Sequence, residues 1–141
     1  MQVLWDVSLS LESRPESLRI GRKVIRQLAL LAGASDVEAA EIELSAGEAL
    51  TNAQRHAYPQ GTGTIGIEVQ AFNAQLSVII HNDGKEVAAP PIPNALPDRQ
   101  DAGGRGLYLI DHLMDDVEIG IDAQGHGVIL RMTRNLEQTT R

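Results

Sequence analysis

Apolar and polar residues alternate from Val3 to Leu9, with Trp5 among them, and a period of two predicts a strand with one buried face. The period then changes. Leu18, Gly21, Val24, Ile25, Leu28 and Leu31 recur at helical spacing behind Ser13-Arg-Pro-Glu16, a capping-box pattern that opens a helix. Gly33 stops that helix, and Ser35-Asp-Val-Glu38 repeats the capping signature at the head of a longer one ending before Pro59. After a turn at Gly61-Thr-Gly63, Thr64–Ala71 and Gln75–His81 form a hairpin joined at Asn73-Ala74. Leu107, Ile110 and Leu113 mark a third helix. A second strand pair, Asp116–Ile121 and Val128–Thr133, flanks a turn at Asp122–Gly127, and the polar residues Glu137–Arg141 are expected to fray.

Angles along the long helix sharpen the picture. At about 100° per residue, Ile42, Ala46, Ala49, Leu50, Ala53 and Ala57 fall in one apolar arc. Glu41, Ser45, Glu48, Asn52 and His56 form a polar stripe along one border of it. Alone, that stripe is what any amphipathic helix shows on its solvated edge. A glycine cluster further on, Gly103-Gly-Arg-Gly-Leu-Tyr-Leu-Ile110, changes the balance. Glycines opening a helix leave backbone N–H groups at its positive end, where phosphate binds well. Glu48 and Asn52 lie one turn apart on the same side, and a carboxylate beside an amide oxygen can orient a nucleophile and hold a hard divalent cation. The two segments together point to a nucleotide site.

Between the strand pairs lies Gly84–Gly103, with four of the six prolines (Pro90, Pro91, Pro93, Pro97), which exclude helix and central strand there. A connection this long in a compact domain is expected to be functional or disordered. Composition narrows the function classes. The 141 residues suit one domain, and a net charge of −7 argues against nucleic acid as a partner. There is no cysteine, hence neither a disulfide nor a thiolate metal site, and the four histidines (His56, His81, His112, His126) lack ligand spacing. The N-terminus shows no signal-peptide pattern and the longest apolar run, Leu28–Ala32, is too short to span a bilayer, so a cytoplasmic protein with no membrane contact is expected.

Glu48-Ala-Leu-Thr-Asn52-Ala-Gln-Arg-His56-Ala-Tyr resembles the N box of the Bergerat-type ATP-binding fold shared by gyrase and the histidine kinases. Gly104-Arg-Gly106-Leu-Tyr-Leu-Ile-Asp-His-Leu-Met114-Asp-Asp-Val-Glu is similar to the second glycine box of one branch, the small anti-sigma-factor serine kinases, with the Met-Asp segment that follows it. The resemblance runs from the first strand to about Arg134. At the first glycine box, Ile80-His81-Asn82-Asp83-Gly84-Lys85-Glu86 departs from the family's Asp-x-Gly-x-Gly. Asn82 stands at the position that contacts adenine, Asp83 is the alternative one register later, Gly84 matches the first glycine, and Glu86 replaces the second.

The resemblance implies a two-layer α/β sandwich, a mostly antiparallel mixed sheet with three helices on one face, in the order β-α-α-β-β-lid-α-β-β. It makes residues 84–103 an ATP lid. It implies an anti-sigma factor with serine kinase activity that uses ATP and Mg²⁺, sequesters a sigma factor and phosphorylates an anti-anti-sigma (STAS-type) partner, as a homodimer. Glu48 would be the general base, and Asn52 the Mg²⁺ ligand. Asn82, Asp83, Gly84, Gly103, Gly104, Arg105, Gly106 and Leu107 would hold the nucleotide. Arg55 and His56 would either face the phosphates or the protein substrate, or cap the helix end. Two rivals keep the fold: a partner-binding module with weak or no ATP use, and a detached histidine-kinase catalytic domain.

Overall fold

The computed structural model describes residues 2–57, 63–82, 91–97, 102–121 and 127–137. Strand β1 (Trp5–Glu12) leads into helix α1 (Pro15–Leu31), then α2 (Asp36–Ala57), the hairpin β2 (Thr64–Phe72) and β3 (Gln75–Asn82), helix α3 (Ala102–Leu113), and strands β4 (Asp116–Ile121) and β5 (Val128–Asn135). The elements follow the order that the hydrophobic pattern predicts, with β1 running to Glu12 rather than stopping at Leu9. The expected turns at 61–62 and 122–126, most of the 84–103 segment and the tail beyond Glu137 lie outside the described residues.

The sheet order is β1-β2-β3-β5-β4. All four neighbouring pairs are antiparallel, so the mixed sheet that the resemblance implied is antiparallel throughout the described residues. The reason is the two hairpins: β2–β3 and β4–β5 each reverse direction, and β5 joins β3 from the far side. β1 pairs with β2 from Trp5 opposite Ala71 to Glu12 opposite Thr64, which continues the alternation through Leu11.

One face of the sheet carries Ile65, Ile67 and Val69, then Leu76, Val78 and Ile80, then Leu130 and Met132. Against it pack Leu18, Ile25 and Ala29 of α1, Ile42, Ala46, Ala49 and Leu50 of α2, and Leu107 and Ile110 of α3. Each large side chain removed from water there contributes about 1.5–3 kcal/mol. Small residues at Ala39, Ala46, Ala49 and Ala53 let α2 lie close to its neighbours. This places the middle of α2 between α1 and α3, where both adjacent helices can reach its polar border.

The two capping patterns part company. At α2 the box forms: the Ser35 N–H donates to Glu38 Oε1 at 2.9 Å and the Glu38 N–H donates to Ser35 Oγ at 3.1 Å. At α1 it does not, because the N-cap is Arg14 with Pro15 in the first turn and no side-chain cap bond. Ser13 is drawn into the sheet margin instead, its N–H donating to the Gly63 carbonyl at 2.8 Å. Gly33 follows α1 with φ 103°, the left-handed stop that the sequence predicts.

Arg134 ties the far end together. Its Nη1 donates to the Leu113 carbonyl at 2.8 Å and to Glu41 Oε2 at 3.3 Å, joining β5, the end of α3 and the start of α2. Among the described residues no helix is long and apolar enough to cross a membrane.

Candidate nucleotide site

α2 runs its polar border along α3, and the two helices meet at Gly106. A methyl group built there would lie 2.8 Å from Glu48 Oε2 and 3.3 Å from Asn52 Nδ2. The glycine is required by contact with these two side chains, not by a left-handed backbone, since its φ is not positive. Leu107 and Ile110 anchor this stretch of α3 in the core.

Next to that contact is a cavity of about 770 Å³, lined by Glu48, Thr51 and Arg55 of α2, Leu96, and Arg105 and Gly106 of α3, with Tyr108 and Leu109 further along. Its size is that of a ligand cleft. Glu48 is half-buried, whereas Asn52 is 9% exposed. The Asn52 Nδ2 is buried without a hydrogen-bond partner among the described residues. A buried amide donor without an acceptor costs free energy, and a ligand oxygen would relieve it. An anionic, oxygen-rich ligand with a hard cation therefore fits this pair of side chains.

The glycine box opens α3 as expected. Gly103 and Gly104 lie in the first turn, which begins at Ala102, and Gly106 in the next. Arg105 reaches away from its neighbours, Nη1 donating to the Pro97 carbonyl at 2.7 Å. It thereby fastens residues 91–97, a described stretch of the expected lid, beside the cavity that Leu96 lines. The Leu107 side chain is buried among core residues, so only its main chain is available to a ligand. Tyr108 stacks on His112 with ring centroids 4.0 Å apart.

Asn82 ends β3 and is buried, on the helix side of the sheet in line with Val78 and Ile80. Gly127 packs directly on its carbonyl oxygen, and a side chain at 127 would collide with it. Asp83, Gly84 and the side chain of His56 lie outside the described residues. The structure thus brings Glu48, Asn52, Arg55, Arg105 and Gly106 together. Thr51, Tyr108 and Leu96 join them unannounced by the sequence. Thr51 shares the helical face of Glu48 and Arg55 and could have been found by angle, whereas Tyr108 and Leu96 depend on how α3 and the 91–97 segment dock.

A family model described as the histidine kinase-like ATPase domain matches residues 11–134. The serine-protein kinase RsbW of Bacillus subtilis (strain 168) is 30% identical, covering 92% of this chain and 85% of that protein. The serine-protein kinase RsbW of Bacillus licheniformis is 28% identical over 94% of this chain and 86% of its own length. Among solved structures, the RsbU and RsbW domains of Rv1364c from Mycobacterium tuberculosis superpose with a TM-score of 0.68 at 16% identity, over 97% of this chain and 34% of that longer one. The SiaB-SiaC complex from Pseudomonas aeruginosa superposes with a TM-score of 0.61 at 13% identity, over 94% of this chain and 89% of that one. At such identities the two superpositions establish the fold.

Proposed function

The chain belongs to the histidine kinase-like ATPase family and, within it, to the serine-protein kinases RsbW, and from that premise we propose that it is an ATP-dependent serine kinase acting as an anti-sigma factor. The observation that carries the reading is the pairing of Glu48 and the unsatisfied Asn52 amide against Gly106 at the edge of an open cavity. Family membership supplies ATP as the ligand class, and the site chemistry accommodates it.

Glu48 is the general base. Its carboxylate, half-exposed on the cavity wall, accepts the proton of a serine hydroxyl presented by the protein substrate. Asn52 would hold the metal through its side-chain oxygen, and its Nδ2, buried without a partner among the described residues, would donate to a ligand oxygen. The first turn of α3, at Gly103 and Gly104, would present the positive end of the helix to anionic oxygens, and Gly106 in the second turn leaves room beside Glu48 and Asn52. When bound, MgATP supplies the phosphoryl group and the cation that neutralises its charge, and phosphoryl transfer then needs little beyond positioning. Asn82, at the end of β3, would accept from the adenine amino group. Arg55 lines the cavity and adds positive charge at its mouth.

In this reading the protein sequesters a sigma factor. It phosphorylates a serine on a STAS-type anti-anti-sigma partner, which prevents that partner from releasing the sigma factor. Calorimetric titration with ATP tests the nucleotide half: binding that tightens with Mg²⁺ is expected, and no binding at millimolar ATP would leave a partner-capturing module without kinase chemistry.

A further inference from the structure

Leu96 lines the cavity of about 770 Å³ together with Glu48 and Arg105, and it is 55% exposed. A single exposed leucine is ordinary. One that is held at a cavity wall from both of its flanks is not. Pro97 follows it, and a residue before proline is confined to extended backbone. Pro91 and Pro93 fix φ earlier in the same stretch. Arg105 supplies the remaining hold, its Nη1 donating to the Pro97 carbonyl at 2.7 Å in a partly buried bond.

Among the described residues no other hydrogen bond reaches residues 91–97. Arg105 also precedes Gly106, where a methyl group would lie 2.8 Å from Glu48 Oε2. One turn of α3 thus both fits against the Glu48 carboxylate and holds Leu96. The pairing bears on the chemistry because a base does not by itself tell serine from water. Each offers an O–H. Whichever nucleophile wins, its oxygen forms the new bond to the γ-phosphorus as the bond to ADP breaks, and its proton passes to Glu48. A kinase therefore needs water kept from its base, and an apolar side chain beside that base does so.

We propose that Arg105 is a positioning residue for phosphoryl transfer. By holding the Pro97 carbonyl it keeps Leu96 at the wall of the cavity that Glu48 lines, where the leucine displaces water and leaves the serine of the protein substrate as the nucleophile. The inference rests on Glu48 as the base. It gives Arg105 a task other than the nucleotide contact that its place in the glycine box implies.

Two measurements on the full chain test it. The first compares phosphate released to water with phosphate transferred to serine, at saturating MgATP with a STAS-type anti-anti-sigma protein from the same genome. Arg105→Ala should raise the ratio of hydrolysis to transfer about tenfold, the worth of a charge-assisted hydrogen bond. Arg105→Lys keeps a donor and should recover part of the loss. Leu96→Ala should raise the ratio similarly, and the double variant no further than either single one, because both act through one contact. The second measurement follows the Leu96 methyl resonances by carbon-13 NMR without nucleotide, and Arg105→Ala should move them toward random-coil positions. An unchanged ratio in Arg105→Ala or Leu96→Ala, additive effects in the double variant, or unmoved methyls would each overturn the proposal and leave the Arg105 bond a loop tether. Moved methyls in a chain that neither releases nor transfers phosphate would instead sink the kinase reading, and the choice of nucleophile with it.

Discussion

Gly106 of α3 faces Glu48 of α2 so closely that a methyl group on its Cα would come within 2.8 Å of the carboxylate. The contact joins the two blocks of sequence that suggested a nucleotide site. It also changes why the glycine matters: the volume a side chain would take is that of the Glu48 carboxylate and of Asn52.

Replacing this glycine should therefore disturb the base and the nucleotide together. Gly106→Val is expected to abolish ATP binding by calorimetry and to cost about 1–3 kcal/mol of stability, the usual range for overpacking. Far-UV circular dichroism should remain native, because Leu107 and Ile110 still anchor α3 in the core. Normal ATP affinity in a folded Gly106→Val protein would place the phosphates elsewhere.

Removing the base should separate chemistry from binding. Glu48→Ala is expected to reduce phosphorylation of the partner about 10²–10⁴-fold, the range for a lost general base. MgATP affinity should stay within a few fold, since Glu48 holds neither adenine nor metal in this account. Unaltered turnover would remove Glu48 from the mechanism.

The β2–β3 hairpin offers a stability test away from the site. Ala74 adopts φ 59°, a left-handed conformation that costs a residue with a Cβ about 1–2 kcal/mol. Ala74→Gly is expected to raise the melting temperature by a few degrees, partly offset by the greater freedom of glycine in the unfolded chain. A lower melting temperature would show that the turn carries no such strain.

Acid stability should follow Glu38. Burial pushes its carboxyl pKa up, but hydrogen bonds from the Ser35 and Glu137 N–H groups, the Ser35 side chain and the charge of Arg134 outweigh it, leaving the pKa below its ordinary value. A carboxyl depressed on folding contributes stability above its unfolded pKa of about 4.3 and loses it as pH falls through the lower folded value. Glu68 works in the opposite sense, raised first by its hydrogen bond with Asp6 and then by burial. Glu38→Gln should flatten the acid limb of the stability curve below about pH 4.3 and lower stability at pH 7. An unchanged acid limb would contradict the capping role.

Much of this architecture was legible because α2 declares itself: its apolar arc through Ile42, Ala46, Ala49 and Leu50 is the buried face, and its border carries Glu48 and Asn52. The hairpin at Asn73-Ala74 was legible for the same reason, a period of two interrupted by a two-residue turn. The Ser13 box misled because serine spacing does not reveal that the Ser13 main chain is taken by Gly63 across the sheet margin. Leu107 turns its side chain into the core, as its place on the apolar face with Ile110 and Leu113 implies.

The most direct measurement incubates the protein with γ-labelled ATP, Mg²⁺ and a STAS-type anti-anti-sigma protein from the same genome. Label should move to a serine of that partner, survive acid, and disappear with Glu48→Ala. Acid-labile label would mean phosphohistidine chemistry, and an unlabelled partner alongside normal ATP binding would contradict the serine-kinase account.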